Sequence, residues 1–215
     1  MQPASKMVEK RKSFDSHAAW TLSVQPFQTF QYLTNHISTA DFQLAALHIP
    51  PAWSQARTGV QVQAGVERAL TKRLSWRLSG VYRAMPQFVN YQISTSEFLV
   101  KETGPNQVSI ERVTIDVSEQ KTRQWLGLQA GYAYHFNRGF FVSAAAEGSI
   151  DWANNHATQL GLTASAGWAR YLGGRYSLVV EPTYTYFFQK TTDTRQVLQI
   201  QPYTLGIKVG LRIKR

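Results

Sequence analysis

Residues 130–149 read AGYAYHFNRGFFVSAAAEGS. Ala130, Tyr132, Tyr134 and Phe136 occupy alternate positions, the pattern breaks at Asn137-Arg138-Gly139, and Phe140, Val142, Ala144 and Ala146 resume it. Apolar residues at a period of two on both sides of a short glycine-containing turn predict a β-hairpin. Which way the apolar face looks decides the fold. Turned inward, it fills the core of a water-soluble barrel; turned outward, it meets lipid.

The same alternation repeats along the chain with almost no helical periodicity. Eight segments carry it: 18–33, 57–70, 74–93, 122–136, 139–152, 158–172, 175–189 and 200–214. Strands of soluble proteins are typically about 5–6 residues long, whereas a tilted strand crossing a bilayer needs about 9–11. The connections alternate too. Leu70-Thr71-Lys72-Arg73, Asn137-Arg138-Gly139 and Gly173-Gly174 are tight, and each follows an even-numbered segment. Residues 34–56, 94–121 and 190–199 are longer, with a shorter link near Ala153-Asn154-Asn155-His156. Tight turns and both termini therefore share one end, as in transmembrane barrels with short periplasmic turns and longer outer loops. The prediction is all-β: an eight-stranded antiparallel up-and-down transmembrane β-barrel over 18–215, preceded by a basic segment or linker remnant at 1–17.

Face assignment favours lipid outside. Leu160, Leu162, Ala164, Ala166 and Trp168 oppose Gly161, Thr163, Ser165 and Gly167; Leu205, Ile207, Val209 and Leu211 oppose Gly206, Lys208, Gly210 and Arg212. Small polar residues suit the narrow lumen of eight strands. Tyr132, Tyr134, Phe136, Phe140, Trp168 and Tyr176 gather toward the tight-turn end, and Tyr184, Tyr186 and Tyr203 toward the loop end, the arrangement of two interfacial aromatic girdles. Pro26 and Pro182 fall inside strands, where the missing N–H counts against full pairing unless local bulges accommodate it.

Composition bounds the function. The 215 residues suit one all-β domain. No run of about 18 apolar residues supplies a spanning helix, which does not speak against a barrel. With no cysteine, disulfides, thiolate metal sites and cysteine nucleophiles are excluded. The net charge is +10, and Lys6, Lys10, Arg11, Lys12, Lys72, Arg73, Arg138, Arg175, Lys214 and Arg215 all fall at the tight-turn end. Two readings stand for this rim: attraction to anionic outer-membrane lipid or an acidic periplasmic partner, and plain solvation. The aromatics do not interleave with the basic cluster, so nucleic acid is not expected. MQPASKMVEKRKSFDSH at the start has no apolar signal core. For an exported protein, that implies a signal sequence or upstream region absent from this chain.

Gln201-Pro-Tyr-Thr-Leu-Gly-Ile-Lys-Val-Gly-Leu-Arg-Ile-Lys-Arg215 resembles the last strand of small PorT-like outer-membrane β-barrel proteins, and Leu178-Val-Val-Glu-Pro-Thr-Tyr-Thr-Tyr186 resembles the strand before it. The resemblance implies an OmpA-sized barrel in a Gram-negative outer membrane. Many such barrels end in an aromatic residue where this chain ends in Arg215.

Glu67, Arg77, Glu147, Glu181, Lys208 and Arg212 take the lumen-facing parity and must pair, because an unpartnered charge away from water is costly. Glu147 is expected to meet Arg77, Lys208 or Arg212. Such a set builds either a gated path or a salt-bridge plug, and the narrow lumen favours the plug. No catalytic, cofactor or metal residues are predicted: His17, His36, His48, His135 and His156 have no metal-type spacing. His156 near Ser149 and Asp151 imitates a lipid-modifying site, but Asn154-Asn155 reads first as a polar turn. In 94–121, Val108, Ile110, Val113, Ile115 and Val117 suggest a hairpin that either protrudes as a ribbon or extends the wall. The expected role is non-enzymatic: structural, or binding a ligand or partner through loops 34–56 and 94–121. A small pore, a lipid-modifying enzyme and a soluble lipocalin-like barrel are the alternatives.

Overall fold

The computed structural model describes residues 18–35, 42–48, 50–51, 53–104, 107–136, 139–153, 157–192 and 198–214. The basic segment 1–17 lies outside them. Ten strands form in chain order: β1 (Ala18–Asn35), β2 (Phe42–Leu47), β3 (Thr58–Ala69), β4 (Leu74–Gly104), β5 (Gln107–His135), β6 (Phe140–Asp151), β7 (Thr158–Gly173), β8 (Tyr176–Phe187), β9 (Thr191–Thr192) and β10 (Leu198–Lys214). Eight of them close a ring, β1-β3-β4-β5-β6-β7-β8-β10, with β10 returning to β1. Every pairing is antiparallel, and Ala19 opposite Lys214 brings both ends of the ring to the tight-turn side. Closure leaves no unpaired edge in the wall.

Local chemistry sets the turns. At 70–73, Thr71 Oγ1 accepts hydrogen bonds from the backbone N–H groups of Arg73 (3.2 Å) and Leu74 (3.0 Å). The Leu70 N–H reaches the Leu74 carbonyl at 2.8 Å, closing the hairpin. At the β7–β8 turn, Gly173 and Gly174 have φ of +124° and +59°, a conformation that side-chain-bearing residues rarely adopt.

The exterior of the ring is apolar. Leu22, Val24, Leu78, Leu126, Leu128, Leu160, Leu162, Ile207 and Val209 are all exposed, while their alternate neighbours turn inward. An exposed apolar belt around a polar interior is the reverse of what a water-soluble barrel requires, and identifies a membrane-spanning one.

Several details depart from the sequence reading. The segments at 74–93 and 122–136 are parts of much longer strands, of 31 and 29 residues, which run to Gly104 and from Gln107, in keeping with the hairpin expected within 94–121. The two readings of that stretch divide it between them. As far as Ile93 and Val117 it extends the wall around a buried cluster of Val89, Tyr91, Ile93, Val117, Leu198 and Ile200. Beyond, at Phe98 opposite Arg112 and Val100 opposite Ile110, it continues as a two-stranded ribbon. Loop 34–56 contributes β2, which pairs with β4. Pro26 and Pro182 cause no bulge. The β1–β10 register runs unshifted from Val24–Val209 to Phe27–Gly206, and β7–β8 from Ser165–Thr183 to Trp168–Val180, with the ladder lapsing opposite each proline. A missing N–H removes one ladder bond, and the rest of a long strand keeps the register.

Candidate functional site

The lumen is filled in layers, and glycine makes room for them. Phe141 sits opposite Gly167, Phe187 opposite Gly161, and Phe27 between Gly59 and Gly206. A Cβ on Gly167 would come within 2.3 Å of Phe141 Cζ, and one on Gly59 within 2.4 Å of the Phe27 ring. Each ring occupies space that a Cβ on its facing glycine would need, so the three aromatics fit within the bore. Arginines then stack on two of these rings: Arg77 Cζ is 4.6 Å from the Phe141 centroid and Arg83 Cζ is 4.7 Å from that of Phe187.

Nearest the tight turns, two carboxylates organise the cations. Glu67 accepts from Ser75 Oγ (2.8 Å), Arg77 Nε (3.0 Å) and Arg212 Nη2 (2.7 Å), and His135 Nε2 lies 3.1 Å away. Glu181 accepts from Arg77 Nη1 (3.2 Å), Lys208 Nζ (2.8 Å), Ser143 Oγ (2.9 Å) and Ser165 Oγ. Arg77 thereby joins both carboxylates into one network spanning β3, β4, β8 and β10. Each carboxylate has the several charge-assisted donors that a buried anion needs.

Above it lies a neutral band. Gln63 Nε2 donates to Gln129 Oε1 (2.6 Å) and to Ser79 Oγ, Gln129 Nε2 donates to Thr163 Oγ1 (3.0 Å), and Gln25 Nε2 donates to Thr183 Oγ1 (2.7 Å). Next comes a second ion pair, Arg83 Nη2 to Glu147 Oε2 at 2.7 Å, both side chains only 1% exposed. Gln61 Oε1 accepts from the same guanidinium at 2.7 and 2.9 Å. Phe27, Met85, Trp125 and Phe187 pack across the bore above this pair, and the apolar cluster around Tyr91 follows. The voids left beside the charged residues are about 40 and 30 Å³, room for single waters.

The structure therefore brings Glu67, Arg77, Glu181, Lys208 and Arg212 together and separates Glu147 from them. The partner of Glu147 is Arg83, in place of Arg77, Lys208 or Arg212. Its neighbours across the ladder are Gln129 and Gly161, so no cation lies directly opposite it. A long guanidinium two strands away reaches it instead. Arg83 shows the lumen parity in the sequence, but parity alone does not reveal a diagonal partner. The upper lumen combines these apolar layers with buried polar side chains, among them Thr29, Gln159 and Asp151, the last 3.8 Å from Arg123. Opposed Phe–Gly pairs were the sequence signal for the buried rings.

The nine girdle residues all point outward. Tyr132, Tyr134, Phe136, Phe140, Tyr176 and Tyr184 are exposed, and Trp168, Tyr186 and Tyr203 are half-buried against neighbouring side chains. Arg73 Nη1 donates to Tyr134 Oη at 3.3 Å, which ties the basic rim to the lower girdle. Ser149 and Asp151 face the lumen and are buried, while His156 lies outside the described residues. Among the described residues, no group of three His, Cys, Asp or Glu could hold a metal ion.

No protein-family model matches the chain, and no curated protein matches its sequence. Among solved structures it is similar to the outer membrane protein OprG from Pseudomonas aeruginosa, at 10% identity and a TM-score of 0.44, covering 93% of this chain and 97% of that one. It is also similar to Neisserial surface protein A, at 10% identity and a TM-score of 0.41, covering 92% and 99%. The outer membrane protein AlkL, determined in DMPC lipid bilayers, is similar at 11% identity and a TM-score of 0.37, covering 100% and 96%.

Proposed function

We propose that the chain is a non-enzymatic barrel of a Gram-negative outer membrane, with a lumen closed to ions and a binding or structural role exercised from its loop side. One observation carries this reading: the lumen is crossed in succession by the Glu67–Arg77–Glu181 network, the Arg83–Glu147 pair and the Phe27–Met85–Trp125–Phe187 layer. An ion would have to displace all three. The resemblance of 178–186 and 201–215 to PorT-like barrels agrees with that location. The loop-side ribbon supports a binding role, since Phe98, Val100, Val108 and Ile110 are exposed on one face of it, with the Lys101–Glu111 pair (2.9 Å) on the other. On the opposite side, Lys72, Arg73, Arg175 and Lys214 offer an exposed cationic rim to anionic headgroups or an acidic periplasmic partner. Planar-bilayer recording tests the closed lumen. The inserted chain should leave the bilayer silent, and discrete conductance steps that change with Glu181→Gln would favour the small-pore reading.

A further inference from the structure

The two prolines that interrupt the ladder also shape the outer wall. Pro26 of β1 and Pro182 of β8 lie at one height, both exposed, on either side of Ile207 of β10, which pairs with Pro182. Beside them β7 presents only Ala164 and Ala166 outward. Rings and methyl groups here replace the longer side chains found elsewhere on the belt, leaving a concave apolar groove of about 640 Å³. That volume lies within the range of ligand sites, roughly 300–1,000 Å³.

The groove has a distinct mouth toward the loop side, where Trp53 and Tyr184 line it. Trp53 stands edge-on to Phe30 at 6.5 Å, Phe30 stacks on Tyr203 at 5.2 Å, and Tyr203 meets Tyr184 at 6.0 Å. The Arg57 guanidinium lies 5.9 Å from the Phe30 centroid. Among the described residues no carboxylate pairs with Arg57, unlike the lumen arginines Arg77, Arg83 and Arg212. Thr58 anchors this segment to the wall by accepting from Gln28 Nε2 (2.7 Å) and donating to the Ser54 carbonyl (3.2 Å). An apolar trough in the lipid belt, an aromatic set at its interfacial end and a free guanidinium above match the parts of an amphiphile in order: chain, interface, anionic head.

We propose that the groove binds one acyl chain of a phospholipid of net negative charge in the loop-side leaflet, with Arg57 at the phosphate and no headgroup cation to compete with it. Guanidinium suits phosphate because its planar N–H fork donates to two oxygens together, and Trp and Tyr favour the headgroup level. The inference rests on the membrane-spanning reading of the barrel.

The test uses the full chain folded into phosphatidylcholine vesicles doped with phosphatidylglycerol of identical chains. After extraction in mild detergent, native mass spectrometry counts the lipid retained per chain. Wild type should retain one lipid, with phosphatidylglycerol enriched about tenfold over its share, a discrimination within reach of one charge-assisted contact. Arg57→Gln should abolish the enrichment while lipid is still retained. Ala164→Leu/Ala166→Leu, which fills the trough with side chains already common on this belt, should lose lipid of either kind. Heat-modifiable migration on gels verifies that each variant is folded. Equal retention of the two lipids by wild type, or retention unchanged in the trough-filling variant, overturns the proposal. A chain that stays dispersed without detergent overturns instead the membrane reading beneath it.

Discussion

At Gly167 a single methyl group would collide with a ring in the lumen. An alanine there would drive its Cβ to 2.3 Å from Phe141 Cζ, against a ring that the Arg77 guanidinium overlies at 4.6 Å. Gly167→Ala should therefore lower stability by about 1–3 kcal/mol in urea titrations from lipid, the usual cost of overpacking. Adding Phe141→Leu should recover part of that loss. The Arg83–Glu147 pair makes a second prediction. With both side chains 1% exposed, Arg83→Met alone should cost about 3–5 kcal/mol because it strands a buried carboxylate. Arg83→Met/Glu147→Leu should cost markedly less than the sum of the single changes in a double-mutant cycle. At this scale the sequence is only half legible. Parity assigns Glu67, Arg77, Glu147, Glu181, Lys208 and Arg212 to the lumen face, since side-chain direction alternates rigidly along a strand. Partners are another matter. A pair such as Arg83 and Glu147 forms diagonally, at a height set by strand tilt and stagger that no single strand encodes.

The elements were more readable, because a period of two and the spacing of tight turns are local properties. Thr71 and the glycines of the β7–β8 turn lie where the alternation breaks, and the structure places turns at both sites. For β4 and β5 the sequence suggests a hairpin within 94–121, and what escaped was where the wall ends and the ribbon begins. Beyond the lipid belt the polarity inverts: Asn90, Gln92, Ser118 and Gln120 take the outward parity, and Val89, Tyr91, Ile93 and Val117 the inward. A strand leaving the bilayer therefore looks, by its outward face, like the start of a loop. The short β2 has too few residues to show a period. The same inversion predicts that the ribbon is separable from the barrel, since the buried cluster ends at Ile93 and Val117. Replacing 96–112 with an Asn-Gly turn, which joins the facing residues Thr95 and Val113, should leave heat-modifiable folding intact while removing any partner that docks on Phe98, Val100, Val108 and Ile110. Val209→Arg, on the exposed face of β10, should instead destabilise insertion by about 2–4 kcal/mol, the cost of arginine near mid-bilayer.

At the scale of the molecule, one arrangement explains composition, topology and interior together. Within the lipid belt the apolar half of each strand faces outward, so the lumen there is built from charge pairs, amides and a few rings, and aliphatic packing gathers in the cluster around Tyr91. Lys72, Arg73, Arg175 and Lys214 lie exposed on the tight-turn rim, where Arg73 meets Tyr134 at the edge of the aromatic girdle. The absence of cysteine makes the outward assignment directly measurable. Single cysteines at positions 142 to 146 of β6 alter only Val, Ser or Ala side chains and can each carry one nitroxide. In lipid vesicles, collision of the label with dissolved oxygen should be highest at 142, 144 and 146 and lowest at 143 and 145, because Val142, Ala144 and Ala146 are exposed while Ser143 and Ala145 face the lumen. A flat profile, or maxima at 143 and 145, would contradict the account.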